Sequence, residues 1–291
     1  MKKWILAGTA LVMIATCAVA QRSGGDRPSR GTIGANELAY GPDPLQQLDF
    51  WRVKDLNAPL VIFVHGGGWK RGDKKVVARS DKAAHYKAQG YAFASINYRL
   101  VPDATVEQQA TDIANAVAYL RGNAQKLGVD PKRIVLMGHS AGAHLSALVG
   151  TDPQYLRAAG LDMSALSGVI PLDGAAYDVP AQMGENARMM ADTYKQAFGT
   201  DPMRQKALSP YYQAASPNSP AFLILHVERE DGARQSAALA DVLRKNGAKV
   251  QLQGFDGKGL KGHAEINREL GNPDYPATPV VDSWLRGVFD S

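Results

Sequence analysis

Residues 134–150 read IVLMGHSAGAHLSALVG, a stretch that combines a strand, a sharp turn and a helix around one serine. Residues 134–137 form a continuous apolar run typical of a buried strand, and the residues after the turn favour a helix. The turn fits G-x-S-x-G, with Gly138 and Gly142 at places where a Cβ would collide with the neighbouring strand or helix. Such a turn holds its serine in a strained conformation with the hydroxyl exposed. The pattern predicts a nucleophile at Ser140; the alternative is a glycine-rich turn with an inert serine.

Apolar runs and amphipathic segments alternate along the rest of the chain. Runs rich in β-branched and aromatic residues predict strands at 60–64, 91–97, 167–172, 221–227 and 248–255. Helical spacing of apolar residues is found at 80–89, 105–127, 232–245 and 278–289. Because continuous apolar strands are typical of a sheet buried on both faces, this order predicts an α/β fold with a mostly parallel central sheet and helices on both faces. An early antiparallel hairpin is expected near residues 45–53.

Three consecutive glycines follow the first of these parallel strands, in His65-Gly66-Gly67-Gly68-Trp69. They allow backbone N–H groups to turn toward one point, and an acyl-transfer enzyme needs such donors where negative charge develops on a carbonyl oxygen. The alternatives are a flexible loop or a phosphate-binding turn, but no G-K-[ST] sequence follows that would support phosphate binding. We therefore predict an oxyanion hole at this loop.

A serine nucleophile needs a base, and the chain has 6 histidines. Five of them have ordinary structural interpretations, because each belongs to a predicted element. These are His65 in the glycine loop, His85 in an early helix, His139 in the turn at Ser140, His144 in the helix after that turn and His226 in a strand. His263 alone lies in a Gly- and Lys-rich loop after the last predicted strand. We predict that His263 is the base, because the chain order serine, acid, histidine suits this architecture.

The acid that orients the base has several candidates. Asp231 is favoured because it follows the strand at 221–227 and leaves room for one helix and one strand before His263. Glu230 lies in the same stretch, and Asp173 follows the preceding strand. Both stay open as alternative acids, and the carboxylates that do not fill this role are expected to be surface or turn charges.

The N-terminus carries an export pattern. Lys2 and Lys3 precede an apolar run, and Ala18-Val19-Ala20 forms a small-x-small cleavage site. This predicts a secretory signal peptide at 1–20, too short for a comfortable membrane span, and a periplasmic or secreted protein. A flexible leader rich in Gly, Ser and Arg is expected at 21–35. A single domain is expected at 36–291, with a candidate cap segment at 176–210.

Composition limits the partners. Cys17 is the only cysteine, so removal of the signal peptide leaves no disulfide and no thiol nucleophile. A lipoprotein signal with Cys17 as the anchor is the alternative, although Thr16 is a poor match before a lipidated cysteine. The net charge of +5 is too small to indicate a nucleic-acid partner. No metal motif such as H-E-x-x-H is present, and the expected chemistry needs no cofactor.

Four motifs together resemble a known family: HGGGW at 65–69, NYRL at 97–100, GHSAGAHL at 138–145 and the late His263. They are similar to α/β-hydrolase-fold esterases and lipases with an HGGG loop, in the hormone-sensitive-lipase-like and feruloyl-esterase-like branches. The resemblance begins at about Tyr40 and implies an α/β-hydrolase fold. It also implies an oxyanion hole formed by the backbone N–H groups of Gly67, Gly68 and Ala141.

The chain departs from this family at the acid and overlaps with a second family. Members often place an Asp four residues after the strand-end histidine, followed by Val-Pro. Here the fourth residue after His226 is Glu230, and Val-Pro is missing. The downstream Gln235-Ser236 favours Asp231 instead. HGGGW with SAGAHL also resembles arylformamidases that cleave N-formylkynurenine, although the signal peptide opposes that cytosolic role.

The resulting hypothesis is an exported, carboxylesterase-type serine hydrolase that acts on a small-molecule ester through an acyl-enzyme. Ser140 attacks, His263 transfers the proton and Asp231 fixes the imidazole. Trp69 and a Met-rich segment containing Met189 and Met190 are expected to line an apolar acyl pocket. The alternatives are amide or formamide hydrolysis by the same triad, a non-catalytic binding protein with this fold, and a lipid-anchored module.

Overall fold

The computed structural model describes residues 34–184, 190–215 and 217–290. The predicted signal peptide at 1–20, nearly all of the leader at 21–35, and Met189 lie outside these residues. Within the described ranges, no helix combines the length and the apolar character needed to cross a membrane.

One sheet runs through the described part of the chain. Its strands are β1 (Asn36–Ala39), β2 (Gln47–Trp51), β3 (Ala58–Val64), β4 (Ala92–Ile96), β5 (Val129–His139), β6 (Gly168–Leu172), β7 (Ala221–Glu228) and β8 (Lys249–Lys258). They are ordered β1-β2-β4-β3-β5-β6-β7-β8. β2 pairs antiparallel with β1 and β4, and the pairings from β4 across to β8 are parallel. The predicted mostly parallel α/β sheet is confirmed.

Helices connect and cover these strands. They are α1 (Lys82–Ala88), α2 (Val106–Gly122), α3 (Ala124–Leu127), α4 (Ala141–Thr151), α5 (Pro153–Ala158), α6 (Val179–Gly184), α7 (Ala191–Phe198), α8 (Pro202–Ala207), α9 (Pro210–Gln213), α10 (Glu230–Lys245), α11 (Gly259–Glu269) and α12 (Ala277–Phe289). The helix predicted at 105–127 is divided at Asn123 into α2 and α3. Thr105 begins α2 with a capping box, in which Thr105 and Gln108 exchange side-chain-to-backbone hydrogen bonds.

The side chains of β3 alternate between two hydrophobic cores, one on each face of the sheet. Leu60, Ile62 and Val64 pack into one core together with residues of α2, α4 and α10. Val61 and Phe63 pack into the other core, which α1, α11 and α12 cover. All five side chains are fully buried. Helices on both faces therefore explain why the strand is a continuous apolar run instead of an alternating one.

The NYRL stretch after β4 is fixed by contacts with α2 and with the loop after β3. Asp112 is fully buried, and its carboxylate accepts hydrogen bonds from Arg99. The donors are the backbone N–H of Arg99 (3.0 Å) and its side-chain Nε (2.9 Å) and Nη2 (2.7 Å). The Tyr98 hydroxyl donates to the carbonyl oxygen of His65 at 2.9 Å, and the two rings stack at 4.4 Å between centroids. These contacts hold the start of the glycine-rich loop in place.

The chain between β6 and β7 forms the short helices α6 to α9. In α7, Phe198 and Tyr194 pack on Trp69 with ring centroids 4.8 and 5.8 Å apart. This contact brings part of the segment predicted as a cap at 176–210 over the glycine-rich loop.

Candidate active site

Ser140 occupies the sharp turn between β5 and α4. Its φ of 58° and ψ of −119° lie outside the regions that non-glycine residues prefer, and such strain is typical of functional sites. The flanking glycines make the turn sterically feasible. A Cβ on Gly138 would lie 2.1 Å from the carbonyl oxygen of Gly142, and a Cβ on Gly142 would lie 2.3 Å from that of Val64. The structure thus has the turn geometry that the sequence predicts.

His263 lies opposite this serine, with its Nε2 3.0 Å from Ser140 Oγ. The sequence predicts a loop here, whereas the structure places His263 in the second turn of α11. Gly262 and Ile266 are the buried residues of this helix, and a Cβ on Gly262 would lie 2.3 Å from the carbonyl carbon of Gly257. The absence of a side chain at Gly262 lets α11 pack directly on the end of β8. This close packing orients the imidazole toward the serine.

The carboxylate beside His263 belongs to Asp173. Its Oδ2 lies 2.5 Å from His263 Nδ1, and its Oδ1 accepts a hydrogen bond from the Val227 N–H at 3.1 Å. Asp173 directly follows β6, is fully buried and has a φ of 44°. Burial acts to raise the pKa of this carboxyl, but the hydrogen bond with His263 and the charge of Arg229 outweigh burial and lower the pKa below its ordinary value.

The preference for Asp231 as the orienting acid is therefore corrected. Asp231 Oδ2 accepts a hydrogen bond from Gln182 Nε2 at 3.3 Å, and its Oδ1 lies 3.9 Å from Arg229 Nε. The side chain of Glu230, the second candidate, is 95% exposed. The physical reason is that β7 ends at Glu228 and α10 begins at Glu230, so both carboxylates lie in the first turn of a helix. Asp173 instead stands at the end of β6, the strand paired with the nucleophile strand.

The glycine-rich loop borders the same cleft. Gly67 has a φ of 125° and Gly68 a φ of 62°, conformations that favour glycine. Together with Ala141, Ser140 and His263 they line a cavity of about 660 Å³. Ala141 is the first residue of α4, and the N-terminus of a helix favours negative charge. The three residues predicted to form the oxyanion hole thus share one cavity with the serine.

Trp69 lines the cavity, and a buried histidine holds its ring in place. Trp69 Nε1 donates to His144 Nδ1 at 3.3 Å, and His144 Nε2 lies 2.8 Å from the carbonyl oxygen of Leu208. Burial lowers the pKa of His144 to about 4, so the ring is neutral. A neutral ring with its hydrogen on Nε2 satisfies both contacts, because it accepts from Trp69 and donates to Leu208.

Two residues at the start of α7 narrow the cavity near the glycine loop. Met190 and Thr193 both line it, and a Cβ on Gly68 would lie 3.0 Å from Thr193 Cγ2 and 3.7 Å from Met190 Cε. The expectation that Trp69 and the Met-rich segment border the site is thus met at Trp69 and Met190, whereas Met189 lies outside the described residues.

His139 contacts the imidazole from the strand side, a role that the sequence does not reveal. The two rings are 4.5 Å apart between centroids, and His139 Nε2 lies 2.9 Å from the carbonyl oxygen of His263. Burial, followed by the charge of His263, lowers the pKa of His139 well below its ordinary value. The neutral His139 ring therefore donates Nε2–H to the backbone of the residue that it supports. Only its position next to Ser140 could have suggested this contact.

A strained serine after β5, a histidine beyond β8 and a glycine-rich loop after β3, all at the carboxyl edge of a mostly parallel sheet, define an α/β-hydrolase fold. Esterase B from Lactobacillus Rhamnosis has the same fold, with a TM-score of 0.72 over 90% of this chain and 87% of that chain, at 23% identity.

Within this fold, the chain belongs to the BD-FAE family, which it matches over residues 48–243. It is 33% identical over 213 residues to Esterase LipC of Mycobacterium tuberculosis, covering 69% of this chain and 52% of that protein. It is 28% identical over 247 residues to the Kynurenine formamidase of Drosophila melanogaster, covering 82% of this chain and 78% of that protein. The chain spans about half the length of the mycobacterial relatives that it matches.

Proposed function

We propose that this protein hydrolyses carboxylic esters of small molecules, with Ser140 as nucleophile, His263 as general base and acid, and Asp173 as the orienting carboxylate. The observation that carries the proposal is the hydrogen-bond chain from Ser140 Oγ to His263 Nε2 at 3.0 Å and from His263 Nδ1 to Asp173 Oδ2 at 2.5 Å. The similarity to Esterase LipC supports the same class of reaction.

The geometry suits acyl transfer in two steps. Ser140 Oγ gives its proton to His263 Nε2 as it attacks the ester carbonyl, and Asp173 holds the hydrogen on Nδ1 so that Nε2 can accept. The amides of the glycine loop and of Ala141 stabilise the oxyanion, and each such donor contributes about 3 kcal/mol. His263 then protonates the leaving alcohol, and water attacks the acyl-enzyme by the same route.

The test is hydrolysis of p-nitrophenyl esters from acetate to dodecanoate by the wild type and four variants. We expect Ser140→Ala and His263→Ala to lower kcat by about 10⁶-fold, and Asp173→Asn by about 10⁴-fold. Asp231→Asn is the matched control and is expected to stay near wild type. Folded wild type without turnover on any of these esters would contradict the proposal. Equal loss in the two aspartate variants would contradict the role of Asp173.

Formamide hydrolysis by the same triad is the second candidate. The similarity to the Drosophila Kynurenine formamidase favours it, since that match covers 82% of this chain. A matched pair of substrates, an aryl formate ester and the corresponding aryl formamide, separates the two activities. Higher kcat/KM for the formamide would replace the ester assignment, and loss of both activities in Ser140→Ala would assign them to one site.

We further propose that the protein is exported, with the signal peptide at 1–20 removed. Its support is the sequence alone: Lys2 and Lys3, the apolar run after them and the Ala18-Val19-Ala20 site. Intact mass spectrometry of the mature protein is the test. A mass that matches a chain beginning at Gln21 agrees with export. A mass that matches a lipidated chain beginning at Cys17 indicates a lipoprotein, and a mass that includes residues 1–20 contradicts processing.

A further inference from the structure

Arg229 is the single residue between the end of β7 and the start of α10, and its side chain lies against the dyad of Asp173 and His263. Its Nε is 3.5 Å from Asp173 Oδ2, and its Nη2 donates to the carbonyl oxygen of Gly174 at 3.2 Å. The side chain is 14% exposed. A Cβ on Gly232 would lie 2.8 Å from Arg229 Nη2, so the first turn of α10 leaves space for the guanidinium.

The same guanidinium approaches the base itself. Arg229 Nη1 lies 3.3 Å from His263 Nδ1. This contact is not a productive hydrogen bond, because Nδ1 directs its hydrogen at Asp173 and a guanidinium has only donors. When His263 takes the proton of Ser140, two positive groups therefore face one carboxylate.

We propose that Arg229 is a positioning residue that shares the carboxylate of Asp173 with His263, so that the guanidinium offsets part of the negative charge that faces the imidazole. The inference rests on the proposed function, in which His263 must be neutral to accept the proton of Ser140. Its physical basis is that a positive charge within about 4 Å of a neutral imidazole opposes protonation of the ring, whereas a carboxylate that no other cation contacts favours protonation.

The other groups that face His263 do not supply this charge. His139, from β5, is neutral because burial lowers its pKa well below the ordinary value. Asp231 lies on the far side of the guanidinium, 3.9 Å from Arg229 Nε, and its side chain is 39% exposed. Lys82, from α1, hydrogen-bonds the carbonyl oxygen of Asn267 in α11, and its charge contributes to lowering the pKa of His139. Among the described residues, Arg229 is thus the cation in direct contact with the imidazole.

The experiment compares Arg229→Gln and Arg229→Lys with the wild type by two readouts. The first is the pH dependence of kcat/KM on a p-nitrophenyl ester. The second is the titration of His263 followed by NMR on histidine-labelled protein, with the signal assigned by its loss in His263→Ala. Arg244→Gln, in the last turn of α10, is the control for removal of one positive charge from the helix that follows Arg229.

We expect Arg229→Gln to move the acid limb of the profile and the NMR midpoint upward by about one to two pH units, which lowers activity on that limb about tenfold or more. Arg229→Lys retains the charge and should restore most of the shift. Arg244→Gln should leave both readouts near wild type. If Arg229→Gln does not fold, Arg229→Met, which keeps the aliphatic stem, takes its place.

An unchanged or lowered midpoint in the neutral variant would overturn the inference, even if ester hydrolysis that depends on Ser140 is observed. If the wild type has no ester activity, the proposed function fails separately, because the NMR titration reports on Arg229 without turnover. A shift of similar size in Arg244→Gln would also overturn it, since the effect would then reflect net charge and not contact.

Discussion

Lys82 predicts an unusual pH dependence of stability. It is the first residue of α1, 1% exposed, with Nζ 5.2 Å above the ring of Phe63 and hydrogen-bonded to the carbonyl oxygen of Asn267. That carbonyl belongs to the last turn of α11, the helix that carries His263. Burial lowers the pKa of Lys82 to about 7, against the opposing charges of Glu269 and Asp81.

The direction in which stability changes with pH follows from the protons that the folded and unfolded states bind. The unfolded chain holds the Lys82 proton with a pKa near 10.5, whereas the folded protein releases it at about 7. The unfolded state therefore binds more protons between these values, and the stability of the wild type rises with pH across that window. The destabilising effect of the buried charge is complete below about pH 7 and shrinks as the pH approaches the unfolded value. Each pH unit in the window is worth about 1.4 kcal/mol.

Lys82→Met removes this ionisation. Between about pH 6 and pH 9 the wild type should gain about 3 kcal/mol of unfolding free energy relative to the variant. Loss of the hydrogen bond to Asn267 is a cost that does not depend on pH, so the difference between the two pH values isolates the charge. Urea unfolding at four pH values measures it, with Lys87→Met, a partly exposed lysine of the same helix, as control.

Parallel pH curves for the wild type and Lys82→Met would refute the reasoning, because Lys82 would then ionise alike in the folded and unfolded states. A curve for Lys87→Met that departs from wild type as much as that of Lys82→Met would also refute it, since burial would no longer be the cause.

Three further predictions concern the scaffold and the cavity. Asp112→Ala leaves Arg99 without its buried acceptor and should cost about 3–5 kcal/mol in urea unfolding, and a loss below about 1 kcal/mol would contradict this network. Gly142→Ala should cost about 3 kcal/mol or more through backbone overlap, whereas Gly287→Ala, with open space around it, should raise Tm slightly; similar Tm changes would contradict the steric argument. Met190→Ala removes a side chain that lines the cavity and should shift ester preference toward longer acyl chains. An unchanged chain-length profile would show that Met190 does not contact the acyl group.

Much of the fold follows from local patterns. The run at 60–64 predicts a strand buried on both faces, and β3 occupies this place between two cores. The elbow at Ser140 is equally local, because its two glycines are needed by backbone atoms within one strand, one turn and one helix. His263 is found by elimination and by chain order, although α11 around it is not predicted, since the need for close packing at Gly262 arises only from its contact with β8.

The acid could not be chosen in this way. Asp231, Glu230 and Asp173 all follow strands at the same edge of the sheet, so position after a strand does not separate them. The choice depends on where β7 ends and α10 begins, because that boundary places Glu230 and Asp231 in a helical turn and directs Arg229 inward.

The sequence by itself determined the strand and helix order, the nucleophile turn, the glycine loop and the late histidine, because each depends on the conformational needs of neighbouring residues. Only the tertiary structure decided that Asp173 contacts His263, that His139 contacts His263 from β5 and that Arg229 lies beside the carboxylate of Asp173. These contacts join residues 90, 124 and 34 positions apart from His263 in the chain. Distances of about 3 Å between such residues depend on the packing of the whole sheet, and no local pattern encodes them.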